Sequence, residues 1–360
     1  MSANRPLPPD PSHEGRGEIP YVRARWHADA TEWMARPSLR VMVLVAVLVL
    51  ALFLLPWVAG RYPVYLAMQI LILAIFSLGF NLLFGYTGLL SFGQAGFFAV
   101  GAYGCAKILL VVPNLLLGIA GGVVAAGVAA FLLGILSVRH TRIYFSMLTL
   151  AFGMMIYSIA WKWRDFTGGD DGLVGIPRAP LAIPGIMSID LTAMERYYYV
   201  VVVLSLAAIY AMYRLVRSPL GMTLQAIRDS ETRAEFAGVP VRQYRLIAFT
   251  IAGLYAGLAG ALLPPLENTV TPPIAHWSMS AEPVLATLMG GIHSFSGPIV
   301  GAFLFLVIKD VIFRFTEYWL IWFGVIVVAL VMGFPSGIMS IFERRSRKAD
   351  TGRGEPGGVP

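Results

Sequence analysis

The chain has 360 residues, of which 58% are hydrophobic and only 13% charged, against about 25% charged in an ordinary soluble domain. Its long apolar runs lack the alternation of barrel strands, so composition selects an all-α polytopic membrane protein and excludes soluble enzymes and membrane β-barrels. The net charge of +7 is what basic loops between membrane spans produce, so nucleic acid is dropped as a partner.

Residues 1–38 are polar, rich in proline and mixed charge, and read as a disordered basic cytoplasmic tail. Apolar runs predict spans near 39–58, 63–84, 88–110, 115–138, 143–163, 197–215 and 246–266. A broken region over 282–314, interrupted at Gly290-Gly291, and a last span near 318–335 come next. Together they make one membrane domain, 39–340, of about 8–10 transmembrane helices with broken or re-entrant segments, and residues 341–360 form a second cytoplasmic tail.

The third run is unusual. "GYTGLLSFGQAGFFAVGAY" (85–103) carries five glycines together with Ser91 and Gln94, and Asn81 lies just upstream. Small residues such as Gly93, Gly96, Gly101 and Gly104 let helix backbones approach in lipid. Breaks in a helix are tolerated where the backbone lines a cavity or is covered by protein. Asn81, Ser91 and Gln94, with Gly93 and Gly96, are therefore candidates for the wall of a polar pathway. The alternative is that the glycines serve packing alone and the polar side chains bond between helices. "SFGQAGFFAVGA" (91–102) is echoed by "SFSGPIVGA" (294–302); corresponding broken segments in two parts of a transporter point to a pathway near the midplane.

Orientation follows from Lys and Arg near the span ends. The first 40 residues carry six Arg, the "VRHTR" loop two, residues 214–245 six, and the stretch after Phe342 four Arg and one Lys. These segments, and both termini, belong on the cytoplasmic side. Residues 164–196, with three basic against five acidic residues, and 267–282, with no Lys or Arg, belong outside.

Catalytic signatures are missing from the sequence. None of the four lysines ends a phosphate-binding loop, the five histidines have no zinc spacing, and there is no nucleophile elbow. Cys105 is the single cysteine, so no internal disulfide framework exists. Lys309 and Asp310 are the ionisable residues in mid-segment. About 100° apart on a helix, they need not pair with each other. An ion-driven transporter needs such groups inside the bilayer, so the driving force is expected from another chain. A self-sufficient secondary transporter or facilitator is the alternative.

Residues 216–245 are not a span. Ser218 and Pro219 start a short helix that runs to about Asp229, Ser230 caps a second, and Gly238 with Pro240 ends it. Leu220, Leu224 and Ile227 share one side of the first helix, and Ala234, Phe236, Ala237 and Val239 offer an apolar surface on the second. The segment reads either as an amphipathic helix on lipid headgroups or as a docking element for a cytoplasmic protein. Acidic residues interleaved with the arginines favour the protein.

Four stretches now carry a resemblance: "NLLFGYTGLLSFGQAGFFAVGAY", "SPLGMTLQAIRDSETRAEFAGVPVRQYRLIAF", "GGIHSFSGPIVGA" and "GFPSGIM". In this order they resemble branched-chain amino acid ABC transporter permeases, more narrowly the larger of the two paired permease subunits. The resemblance implies a second homologous permease subunit, two ATPase subunits that bind ATP and Mg, a periplasmic solute-binding protein, and a bacterial inner membrane. No cofactor is expected on this chain, and no enzyme activity. "AIRDSETRAEFAGV" stands where such permeases carry the coupling helix, which implicates Arg228, Glu231, Ala234, Glu235 and Gly238; the match to the family's "EAA…G" loop is loose. The outer "TGGDDGLVGIP" would offer Asp170 and Asp171 to the binding protein, or be a solvated turn. Related permeases carry urea, short amides and aromatic acids, and Gln94 in "SFGQAGF" leans toward amino acids.

Overall fold

The computed structural model describes residues 39–140, 142–183, 187–333 and 337; both expected tails lie outside the described residues. Residues from Leu50 onward form one compact unit. The chain is almost wholly helical: α1 (Leu39–Val58), α2 (Arg61–Asn81), α3 (Gln94–Val111), α4 (Leu115–Ser137), α5 (Arg142–Lys162) and α6 (Met194–Val216). Then come the short α7 (Pro219–Asp229) and α8 (Glu231–Phe236), and α9 (Val241–Ala261), α10 (Leu263–Glu267), α11 (Trp277–Gly290), α12 (Gly297–Phe315) and α13 (Trp319–Gly333). Among the described residues, six helical stretches are long and apolar enough to cross a membrane: those built on α2, α3, α4, α5, α6 and α9. The 14 residues of α11 reach only about 21 Å, short of the ~30 Å hydrocarbon core. The protein is therefore a multi-pass membrane protein with shorter helices interleaved.

Two expected boundaries move. The third span begins at Gln94 rather than near 88, because α2 runs on into a π turn (Leu82–Tyr86) and the chain then leaves helical geometry until Gly93. Gly88, at φ +75°, supplies the left-handed turn. At the other site, α9 starts at Val241, so the non-spanning segment is 217–240 rather than 216–245, and Arg245 belongs to the membrane helix.

Helices α3, α4 and α9 pack directly on one another, and α2 touches α6, α9, α11 and α12. Close approach is what the glycines provide. A Cβ on Gly101 would stand 2.3 Å from the Gly257 carbonyl oxygen and 2.6 Å from its Cα. At the ends, two segments face opposite sides. The 217–240 segment joins the end of α6 to the start of α9; residues 262–276 leave the far end of α9 and lead into α11. There, strand β4 (Thr269–Val270) pairs antiparallel with β1 (Leu173–Val174) in the segment before α6, with Leu173 opposite Val270. Strands β2 (Leu181–Ile183) and β3 (Met187–Ile189) form a hairpin in that same segment.

Wedging the α3–α9 contact tests this packing. Gly101→Val should cost at least about 1–3 kcal/mol through overpacking and lower the thermal unfolding midpoint in detergent. Gly324→Ala, with nothing within 4 Å of its added Cβ, should leave that midpoint unchanged or slightly raised.

Candidate functional site

The helix break between α2 and α3 gathers buried polar groups. Asn81, Ser91 and Gln94 are 1%, 0% and 1% exposed. Asn81 Oδ1, Ser91 Oγ and Gln94 Nε2 have no protein partner, nor do the buried Ser77 Oγ of α2 and Thr287 Oγ1 of α11. Each such atom costs about 1–3 kcal/mol unless water or a solute supplies the missing bond. The backbone around them is held from several elements. Thr87 Oγ1 donates to the Leu82 carbonyl at 2.9 Å, Ser146 Oγ of α5 to Leu90 O at 2.7 Å, and the Phe92 N–H to Thr149 Oγ1 at 3.3 Å. The Ala95 N–H, in the first turn of α3, donates to Ser280 Oγ of α11 at 2.9 Å.

Gly93 and Gly96 both face α5. A Cβ on Gly93 would meet Thr149 O at 2.3 Å, and one on Gly96 would meet Ile156 Cδ1 at 2.8 Å. Their contact is helix packing, the alternative reading of these glycines. The three polar residues stand apart from them in carrying unpaired atoms. The sequence echo falls on matching positions: Ser91 to Gly93 precede the start of α3, and Ser294 to Ser296 precede the start of α12.

In the 217–240 segment, Pro219 opens α7 as expected, but the Ser218 hydroxyl donates to Leu215 O at 2.6 Å instead of capping the helix. Ser230 does cap α8, accepting from the Arg233 N–H at 3.4 Å. Gly238 ends it at φ +81° with open space around its Cα. The expected apolar docking face is corrected in part. Ala234 is buried with Ile227 and Val241, and Val239 packs on that cluster, because α8 folds back on α7 and α9. On α8 the large apolar side chain left at the surface is Phe236, 88% exposed, with Ala237 exposed next to it. Glu235 is exposed beside it.

Two arginines tie this segment to the bundle. Arg245, buried near the start of α9, donates to both carboxylate oxygens of Glu231, at 2.7 and 2.8 Å. Arg228 Nη1 donates to the Gly85 carbonyl in the π turn at 2.5 Å and forms an ion pair with Asp229 at 3.3 Å. A π turn frees carbonyls from the helical ladder, and a guanidinium, with five N–H donors, is suited to meet them. Arg228 therefore reaches the break while staying accessible from outside.

At the opposite end, Asp170 and Asp171 sit exposed on a 3₁₀ turn (Gly169–Asp171). Asp170 is 3.9 Å from Arg164, a solvated pair worth little. Gly172, at φ +71°, presses on the Val270 carbonyl, where a Cβ would stand 2.1 Å away, so the turn is fixed against β4. Farther along, hydrogen bonds from the Thr192 hydroxyl and N–H hold the Asp190 carboxyl below its usual range.

Below this end, α2, α11 and α12 enclose a groove of about 380 Å³. Lys309 pairs there with Glu282 at 2.8 Å, across helices. Asp310 bonds to the Tyr62 hydroxyl and pairs with Arg314 at 3.1 Å. Lys309 and Asp310 thus take different partners, as their angular separation predicts. Glu282 went unnoticed in the sequence as their counterpart, since it stood at the edge of the expected span; the visible sign was a carboxylate next to Pro283 in an otherwise apolar run. In the groove wall, Gln69 Nε2 donates to the Tyr65 hydroxyl at 2.8 Å, and that hydroxyl donates to Glu267 Oε1 at 2.5 Å.

The sequence model of the family described as "Branched-chain amino acid transport system / permease component" matches residues 62–334. The chain is 30% identical over 323 residues to the high-affinity branched-chain amino acid transport system permease protein LivM of Escherichia coli, covering 83% of this chain and 74% of that one. The LivM of Salmonella typhimurium is 28% identical over the same shares. A shorter likeness, 32% over 101 residues and 28% of each chain, is to the fructose import permease protein FrcC of Rhizobium meliloti. No solved structure matches.

The Glu231–Arg245 pair gives a direct test of how the 217–240 segment is held. Glu231→Ala should cost about 2–3 kcal/mol, below the ~3–5 kcal/mol of a fully buried pair, since the Glu231 side chain is 38% exposed. Hydrogen exchange at residues 230–245 should rise accordingly, and the double change Glu231→Ala/Arg245→Met should recover most of the protection.

Proposed function

The chain belongs to the branched-chain amino acid transport permease family, and from that premise we propose that it is one permease subunit of an ATP-binding-cassette importer in a bacterial inner membrane. Its substrates are branched-chain amino acids or related small amino acids, amides or aromatic acids. A second homologous permease subunit completes the pathway, a periplasmic binding protein delivers substrate, and two ATPase subunits hold the ATP and Mg. The observation that carries this reading is the 217–240 segment: two short helices set between the crossing helices α6 and α9, tied inward by Arg228 and Arg245, with Phe236 exposed. A segment fixed to the bundle on one side and presenting an exposed aromatic among polar residues on the other suits docking to a partner that moves it.

In this reading the 217–240 segment and both termini are cytoplasmic, in keeping with the basic residues near them. Asp170 and Asp171 lie at the opposite, periplasmic end, where basic residues of a binding protein would meet them. Asn81, Ser91 and Gln94 border the pathway, and their unpaired atoms are offered to the passing solute or its water. Weak, transient contacts suffice when a binding protein supplies specificity. A secondary transporter would need ionisable groups free to exchange protons. Lys309, Glu282 and Asp310 are engaged in ion pairs, which favours the importer.

Affinity purification of the tagged chain in mild detergent tests the assembly: ATPases and a second permease should co-purify, and a lone homo-oligomer that drives uptake from an ion gradient would overturn the reading. Phe236→Ala should weaken ATPase capture by about 2 kcal/mol or more, the loss expected of an interface anchor. Gly238→Leu, strained at positive φ, should abolish ATP-coupled uptake in proteoliposomes while the chain still reaches the membrane. Gln94→Leu should change the rate or profile of uptake without loss of assembly.

A further inference from the structure

The groove between α2, α11 and α12 combines features that helix packing alone does not require. The charges in its wall are Glu282, Lys309 and Asp310; Glu282 and Lys309 neutralise each other, and Asp310 is neutralised by Arg314, which stands outside the lining. Apart from Gln69 and Tyr62 the rest of its wall is apolar, with Leu66, Ile72, Leu73, Phe76 and Leu306 among the lining residues. Its volume of about 380 Å³ falls within the ~300–1,000 Å³ range of small-molecule sites. Glu282 lies five residues into α11 and Lys309 six from the end of α12, each about 8–9 Å below the helix end that faces residues 262–276. The Lys309 and Glu282 side chains keep 34% and 23% of their exposure, so the pair is reachable rather than sealed.

We propose that this groove is a receiving site for a small zwitterion with an apolar side chain, its ammonium group meeting Glu282 and its carboxylate meeting Lys309. The inference rests on the importer reading and assigns it a site on this chain. A net cation or anion would leave one charge of the groove uncompensated in a low-dielectric wall, which is costly. A zwitterion exchanges the Glu282–Lys309 pair for two pairs with itself, so charge stays balanced before and after entry. Opening one ion pair to form two others makes binding shallow and release easy, as a passage requires. The apolar lining accommodates the side chain. The groove lies at the end that carries Asp170 and Asp171, opposite the 217–240 segment.

The test uses the complete importer, with its second permease, ATPases and binding protein, in proteoliposomes supplied with radiolabelled leucine. Lys309→Met and Glu282→Gln should each lower leucine uptake about tenfold or more, the factor that one lost charge-assisted hydrogen bond carries. The exchanged pair Glu282→Lys/Lys309→Glu rebuilds the ion pair but reverses where the ligand's charges must sit, while the apolar lining stays in place. It should assemble at the wild-type level and remain as impaired as the single variants. Full uptake by the exchanged pair, or by both single variants, would make the ion pair a helix tie only and overturn the site while leaving the importer intact. Failure of the unaltered importer to move leucine, with another solute class carried instead, would overturn the substrate reading and this site with it. Should a single variant fail to co-purify with its partners, the exchanged pair carries the comparison.

Discussion

In hydrocarbon, a backbone group that leaves the helical ladder has to be satisfied by the protein itself, and that requirement organises everything around residues 82–95. The π turn and the stretch after it release carbonyls and N–H groups in the interior. They are met one by one by Thr87 within the break, by Ser146 and Thr149 from α5, by Ser280 from α11, and by Arg228 from the surface segment. The break is thus a junction at which elements distant in sequence, α5, α11 and the 217–240 segment, converge. Its polar side chains are held in place by backbone contacts and leave their own atoms unspent.

Around that junction the bundle is built on small residues. Gly101 against Gly257 and Gly104 against Gly122 bring α3, α4 and α9 to backbone contact, the attraction available to helices that gain nothing from hiding apolar surface from lipid. The same economy explains why so few ionisable groups lie between the helix ends. Those that do, Glu282, Lys309 and Asp310, are matched with opposite charge or a hydroxyl, since an unmatched charge there would cost far more than a pair.

Much of this was legible in the sequence. Continuous apolar runs marked the helices, including the short α11 and its interruption at Gly290-Gly291, because hydropathy and length are local properties. Pro219, Ser230 and Gly238 marked the two surface helices through capping chemistry that acts within a few residues. What could not be read were the partners. The residues that hold the break lie 56 to 185 positions away, and no local rule links Arg228 to Gly85 or Glu282 to Lys309. Ala234 and Val239 read as surface because the fold-back of α8 on α9 is a tertiary fact; with it Ala234 is buried and Val239 half-buried, while Phe236 and Ala237 stay exposed.

The hydrogen bond from Arg228 to the Gly85 carbonyl joins a surface element to the shape of the break. A bond that is made in one conformation and lost in another couples the two regions it joins, and such coupling is reciprocal. Were a solute to favour a shape of residues 82–95 that makes or breaks this bond, the affinity of the 217–240 segment for a docked partner would change, and docking would change the hold on the solute by the same factor. Attachment at the surface and the shape of the break would then be readings of a single conformational balance.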